Sequence, residues 1–251
     1  MSAEADRLAA SLAPSVDSTP ALALLPTVLS LTAGSADVIS FLGLNGLFTA
    51  HITGNLVILA AHLVVGGDAP IAVLLSVPVF MVVLLLTRLL AGRLTALGRA
   101  SLTPLLLLQF LLLAGSVALC VAGGPHLDPD RAIAVFGGML GVAAMAVQNV
   151  LVQVSLTGAP TTAVMTTNIT HFVVDLGELL LASDADAAAI AKARKRAKHT
   201  WPSILAFAVG CALGAGAEAA WGLAALALPA GLALVALALG VAGLREVAPR
   251  R

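Results

Sequence analysis

Asn168, His171, Asp175 and Glu178 follow one another at steps of three, four and three. On an α-helix those steps place all four side chains on one face. Carboxylates and an imidazole gathered there could take up and release protons or bind ions, and the amide could hold a polar solute. The surrounding sequence is apolar, so the stripe falls at membrane depth. Ionisable groups there cost a few kcal/mol and must point into a bundle or toward water. Asn55 and His62, seven apart, form a weaker stripe, and Asp37, Gln148, Asn149 and Gln153 add polar groups to two further apolar runs. The candidate solute-binding or ion-coupling set is Asp37, Thr53, Asn55, Asn149, Thr166, Asn168, His171, Asp175 and Glu178. Asp37, Asp175 and Glu178 are the expected coupling groups, and the three asparagines the expected solute ligands. The alternative is that these groups only pair with each other and lock helices together, at about 0.6–2 kcal/mol per bond.

A motif occurs twice. Thr49 to Asn55 reads T-A-H-I-T-G-N and Thr162 to Asn168 reads T-A-V-M-T-T-N, so T-A-x-apolar-T-x-N recurs at an offset of 113 residues. The offset also lays the first apolar run on the fifth and the second on the sixth. Two homologous halves follow, about 21–123 and 131–244. Four spans in each would make them parallel repeats; an odd number would invert them. Turn-like residues precede both motifs: Asn45-Gly46 and Gly158-Ala159-Pro160. If the motifs dip into the bundle, the helix starts behind them offer positive dipole ends to an anion or polar solute. If not, they are ordinary caps at the membrane surface.

The elements that must position these residues are membrane spans. Hydrophobic residues make up 60% of the chain and charged residues 10%, with no net charge. A soluble domain carries about a quarter charged residues, so most of this surface faces something other than water. The absence of net charge argues against nucleic acid as a partner. The expected fold is an all-α integral membrane protein of about eight transmembrane helices, with six or seven as the alternative. Spans are expected at about 21–44, 47–65, 71–90, 104–122, 132–156 and 161–181, with two more in 202–244 divided near 223–231, where Pro229 and Gly231 favour a break. A polar tail, 1–20, lacks the pattern of a cleaved signal peptide. Ser183 to His199 reads as the one long charged loop, and 245–251 as a basic tail.

With eight spans, Arg7, Arg131, the cluster Lys192 to Lys198 and the tail arginines share one side, which the positive-inside rule makes cytoplasmic. Arg88, Arg93 and Arg99 then lie on the wrong side. Losing or adding one span between them and the cluster would repair this. The cluster reads as a topology signal, with anionic-lipid contact as the alternative.

Ala33-Gly34-Ser35-Ala36-Asp37-Val38-Ile39-Ser40-Phe41 followed by Phe48-Thr49-Ala50-His51-Ile52-Thr53-Gly54-Asn55 resembles the opening of the YoaK-like family. Gln148-Asn149 and Thr166-Thr167-Asn168 look like its second half, and the resemblance covers about 25–244. That family comprises multi-pass bacterial membrane proteins of unknown function. The resemblance implies fold and location but no substrate, and it gives His51 no role.

No P-loop, G-x-S-x-G, H-E-x-x-H or C-x-x-C occurs. Gly210, Gly214 and Gly216, and Gly137 with Gly141, read as close helix packing. Cys120 and Cys211 read as buried small residues. No cofactor and no metal site are expected, and an enzyme is the less favoured class. The leading expectation is a small-solute transporter or permease of the bacterial inner membrane, whose partners are the lipid bilayer and a small polar solute or ion. A membrane-embedded metalloenzyme using His171, Asp175 and Glu178 with His51 or His62, and a structural or interaction protein, are the alternatives.

Overall fold

The computed structural model describes residues 12–66, 69–124, 126–181 and 187–247. They form α1 (Pro20–Gly43), α2 (Ile52–Val65), α3 (Ile71–Ala96), α4 (Leu102–Ala122), α5 (Ala132–Ser155), α6 (Met165–Leu181), α7 (Ala187–Trp221), a 3-10 turn (Gly222–Leu226) and α8 (Ala227–Val247). The stretches Pro20–Gly43, Ile71–Ala96, Leu102–Ala122, Ala132–Ser155 and Ile190–Val247 are long and apolar enough to cross a bilayer, the last holding most of α7 and all of α8. The protein is a multi-pass helical membrane protein. Helix α1 starts where Thr19 accepts a hydrogen bond from the Leu22 N–H and Pro20 opens the first turn.

Helices α1 and α5 form the centre and run antiparallel. At one end, the Val16 N–H donates to the Thr157 carbonyl and the Thr157 N–H to that of Pro14, each at 2.9 Å. At the other, Gly138 lies against Leu44 and Leu47. We call these the near and far ends. Gly243 abuts Leu22 and Thr19, so α8 finishes at the near end where α1 begins. Helix α3 starts at the far end, where Ala72 and Val73 join Leu44, Leu47 and Val135. It finishes at the near end, where Ala91 joins Leu22, Leu102 and Leu151. Around the central pair, α3 turns Met81, Val82, Leu85, Leu86 and Leu89 outward, as a lipid-facing helix does.

Two expected spans are corrected. Helices α2 and α6 have 14 and 17 residues, or about 21 and about 26 Å, against a hydrocarbon thickness of about 30 Å. Each follows an irregular segment that dips to mid-depth. Ala50 and Ala163 are both buried in the middle of the bundle with Ala33, Ala36, Ala144 and Met145. From there α2 returns to the far end and joins α3 there. Helix α6 returns to the near end, pairing with the first part of α7, whose Lys195 meets Asp17 at 2.8 Å. The Lys195 ammonium, through this hydrogen bond, holds the Asp17 carboxyl below its ordinary range.

The orientation changes with them. A half-helix that goes back the way it came adds no crossing, and α5 runs opposite to α1. The turn between α3 and α4 then lies at the near end, where Ser101 and Ser155 share a hydrogen bond of 2.7 Å. Arg93 and Arg99 thereby join the basic cluster and Arg245, and Arg131 is the basic residue left at the far end among the described residues. The positive-inside conflict disappears.

The charged loop is also corrected. Ala187–Trp221 is one helix that begins well before Pro202, and Pro202 lies inside it. The basic stretch is built from alanine, lysine and arginine, all strong helix formers. The break before α8 is made by Gly222, at φ +56°, which only glycine adopts without strain. Pro229 falls in the first turn of α8, where its missing N–H costs nothing. Residues 182–186, in which the expected loop begins, lie outside the described residues.

The pairing of helices has a pattern of its own. Helix α1 packs on α7 and α8, and α5 on α3 and α4; α2 packs on α3, and α6 on α7. Exchanging α1–α4 for α5–α8 carries each of these contacts into another.

Candidate functional site

Asp37 sits on α1 near mid-depth and is buried. Its Oδ1 accepts the backbone N–H groups of Thr49 at 2.8 Å, Ala50 at 2.6 Å and His51 at 3.4 Å, and the Thr49 hydroxyl at 3.3 Å. A carboxylate thus satisfies the N–H groups of the irregular segment that leads into half-helix α2, whose N-cap, His51, has no side-chain cap of its own. His51 stands beside it, Nδ1 3.8 Å from Oδ2.

Asn55 is fully buried and clamps the same segment. Its Oδ1 accepts the Phe48 N–H at 2.9 Å, and its Nδ2 donates at 2.8 Å to both the Phe48 carbonyl and the Ser76 hydroxyl. Asn168 does the equivalent in the second segment: Nδ2 donates to the Thr161 carbonyl at 2.6 Å and Oδ1 accepts the Thr161 hydroxyl at 2.9 Å. Both clamps reach back seven residues, to Phe48 and to Thr161, which stands 113 residues after it. The second segment is held further by Gln148, whose Nε2 donates to Thr162 Oγ1 and the Leu29 carbonyl, each at 2.9 Å, while its Oε1 accepts from Gln109 at 2.7 Å.

Where the two segments approach, they border a cavity of about 660 Å³. His51, Thr53, Thr161 and Thr162 line it from the segments, Asn149 and Gln153 from α5, and Phe80 and Leu84 from α3. His51 is the sole titratable side chain in the lining; Asp37 lies behind it. Of the expected candidates, Thr53 and Asn149 reach this cavity. Asp37, Asn55 and Asn168 secure its walls. Thr166 is exposed on α6, outside the lining.

The stripe on α6 divides. Asp175 is fully buried, and both its oxygens accept from the guanidinium of Arg196 on α7, with Nε at 2.7 and 2.9 Å and a further contact from Nη2. Glu178 is exposed, 3.8 Å from the same guanidinium. Helix α6 carries no lysine or arginine of its own, but α7 begins at Ala187 and brings Arg196 alongside. Exposed His171 lines a separate crevice of about 410 Å³ with Lys192, Lys195, Arg196 and His199. The stripe does not join Asp37 or Asn149. Among the described residues no three His, Cys, Asp or Glu side chains gather as a metal would require.

The Asp175–Arg196 pair fastens α6 to α7. Asp175 is buried and Arg196 partly exposed, so losing Arg196 strands a buried carboxylate, while losing the Asp175 charge removes the tie between the helices. Asp175→Asn and Arg196→Gln are each expected to lower the thermal unfolding midpoint of the purified protein, and the double variant by less than their sum. Strictly additive losses in this cycle would show that the pair does not couple the helices.

The model of the family described as "Protein of unknown function (DUF1275)" matches residues 25–239. The chain belongs to that family. The match to DUF1275 takes in both half-helices, the cavity and the Asp175–Arg196 pair. Comparison with curated proteins and with solved structures gives no match.

Sequence reasoning placed His51 only among the ligands of the metalloenzyme alternative, and it gave Arg196 and Thr161 no place in a site. The motif itself pointed to Thr161, since Asn168 stands seven residues beyond it as Asn55 does beyond Phe48. No sequence signal pointed to Arg196, because its approach depends on the register of the α6–α7 hairpin.

Proposed function

We propose that this DUF1275 protein is a permease for a small polar solute in the bacterial inner membrane. In this reading six helices cross the bilayer, α2 and α6 return at mid-depth, and residues of about 21–123 and 131–244 are inverted halves. The near end, with both termini and the basic cluster, is cytoplasmic. The reading rests on one observation: two irregular segments, one from each half, approach each other at mid-depth around a cavity lined by hydroxyls, amides and an imidazole. Broken helices whose ends face a central polar site suit transport, because irregular backbone at membrane depth is tolerated only inside protein or along a cavity. The exchange of helix contacts between the halves supports the inverted arrangement. Thr53 and Asn149 contact solute, Asp37, Asn55 and Asn168 hold the segments, and Asp175 and Glu178 steady the hairpin.

In a protein whose Cys120 and Cys211 are replaced by alanine, Thr53→Cys and Thr161→Cys are expected to react with a small hydrophilic thiol reagent, while Leu85→Cys on the lipid-facing side of α3 does not. Solute pools compared between a deletion strain and an overexpressing strain should differ in one chemical class, and labelling Thr53→Cys should abolish the difference. Thiols at 53 and 161 as unreactive as that at 85 would refute the cavity, and unchanged pools would refute transport.

A further inference from the structure

We propose that the central cavity takes a small uncharged solute bearing hydroxyl or amide groups, and that it excludes ions of either sign. The inference rests on the permease reading above and assigns its substrate class.

Among the described residues that line the cavity there is no Asp, Glu, Lys or Arg, and His51 is the sole titratable side chain. Asp37 stands behind it, Oδ2 3.8 Å from His51 Nδ1. A proton on His51 would therefore complete a pair of no net charge and offer nothing to an anion. With His51 neutral, the Asp37 charge is met on Oδ1 by the N–H groups of Thr49, Ala50 and His51 and by the Thr49 hydroxyl. Asp37 is buried and forms no part of the lining, so a cation finds no carboxylate oxygen there either. An ion that gives up its water without a counter-charge loses its solvation. That loss amounts to at least about a hundredfold in occupancy.

What the lining does offer is hydrogen bonding. Thr53 and Gln153 are exposed and border the cavity. Asn149 spends its Nδ2 on the Met145 carbonyl at 2.9 Å, which leaves its Oδ1 to accept. Thr162 Oγ1 accepts from Gln148, which leaves its own hydrogen to donate. The Thr161 hydroxyl is outside this set, being engaged with Asn168 and the Val164 carbonyl. Hydroxyls and carboxamides both donate and accept, as the groups of a polyol or an amide do. Phe80 and Leu84 face the same space and suit the carbon skeleton of such a solute.

The position of the cavity adds a second argument. It reaches from mid-depth, where Ala50 and Ala163 lie, to Thr157 and Gly158 at the near end, so solute enters there. Moving on toward the far end, it meets the Phe48 ring, 6.0 Å from that of His51, and the Phe41 ring 4.7 Å from Phe48. These rings give an uncharged solute little to overcome and an ion nothing to replace its water.

The test reconstitutes the full chain in liposomes and times the entry of labelled probes at neutral pH: erythritol and urea as uncharged solutes, glycerate as anion, choline as cation. Erythritol or urea is expected to enter faster than into protein-free liposomes. Glycerate and choline should enter at least about a hundredfold more slowly than that uncharged probe. In a chain with Cys120 and Cys211 replaced by alanine, labelling Thr53→Cys with a bulky maleimide should return uncharged entry to the protein-free rate. Glycerate or choline entering as fast as the uncharged probes overturns the proposal and leaves the permease reading standing. Uncharged entry that survives the labelling overturns both, because the path then lies outside the cavity. All probes at the protein-free rate overturn the proposal as well, and the solute pools of the two strains then decide the permease reading on their own.

Discussion

Asp37→Ala is expected to be among the most damaging single substitutions in the chain. It removes the acceptor shared by the N–H groups of Thr49 and Ala50 at 2.8 and 2.6 Å, both residues being buried. A buried donor left without a partner costs about 1–3 kcal/mol. Two or three together approach half of the stability of a typical protein, about 5–15 kcal/mol. Asp37→Asn keeps an oxygen at the same place and loses the charge, so it should fall between. Cys120, buried on α4, supplies the readout: its thiol reacts with a fluorogenic maleimide only when the bundle opens. Asp37→Ala should expose it at a far lower temperature than the native chain, with Asp37→Asn intermediate. Equal exposure temperatures for Asp37→Ala and the native protein would mean that the first segment is held by something else.

The second large effect lies between α1 and α7, which run side by side in the same direction. A methyl group added at Gly210 would meet the carbonyl and Cα of Leu31, and one at Gly214 would meet Ser35 Cα and O at 2.9 Å. These neighbours are backbone, which cannot turn aside. Overpacking of this kind costs about 1–3 kcal/mol. Gly216, on the same helix, has nothing within 4 Å of such a methyl. Glycine inside a helix is about 0.5–1 kcal/mol worse than alanine. Gly210→Ala should therefore destabilise, while Gly216→Ala should be neutral or stabilising. The sign difference can be read from unfolding midpoints of the two variants, and like signs would contradict the close approach of α1 and α7.

Apolar length located α1, α3, α4 and α5 within a few residues at most of their ends, because a helix in lipid must be apolar for its full crossing. The same criterion misread α2 and α6. Residues 47–51 and 161–164 contain no Asp, Glu, Lys or Arg and run straight into apolar helices, so hydropathy over a span-length window does not separate these buried irregular segments from helix. The turn residues Asn45-Gly46 and Gly158-Ala159-Pro160, and the misplaced Arg93 and Arg99, carried the correction: one non-crossing element restores the charge asymmetry. Helix α7 was cut short because its first part is charged, although alanine, lysine and arginine favour a helix wherever water or a partner meets the charges. The polar stripe on α6 was legible as a helical face. Its partner was not, since Asp175 meets Arg196 only through the packing of α6 on α7. The paired T-A-x-apolar-T-x-N motifs pointed to both segments of the cavity from sequence alone, but not to the approach of the two.

The central claim is that α2 turns back at mid-depth instead of crossing. Single cysteines at Ser18, just before α1, and at Ala69, Gly98 and Asp128, in a background lacking Cys120 and Cys211, test it through an impermeant thiol reagent applied to intact cells and to inverted vesicles. With a re-entrant α2, Gly98→Cys is labelled from the same side as Ser18→Cys, and Ala69→Cys and Asp128→Cys from the opposite side. A crossing α2 gives the reverse: Ala69→Cys and Asp128→Cys react on the side of Ser18→Cys and Gly98→Cys on the other, and that result would contradict the fold and the cavity built on it.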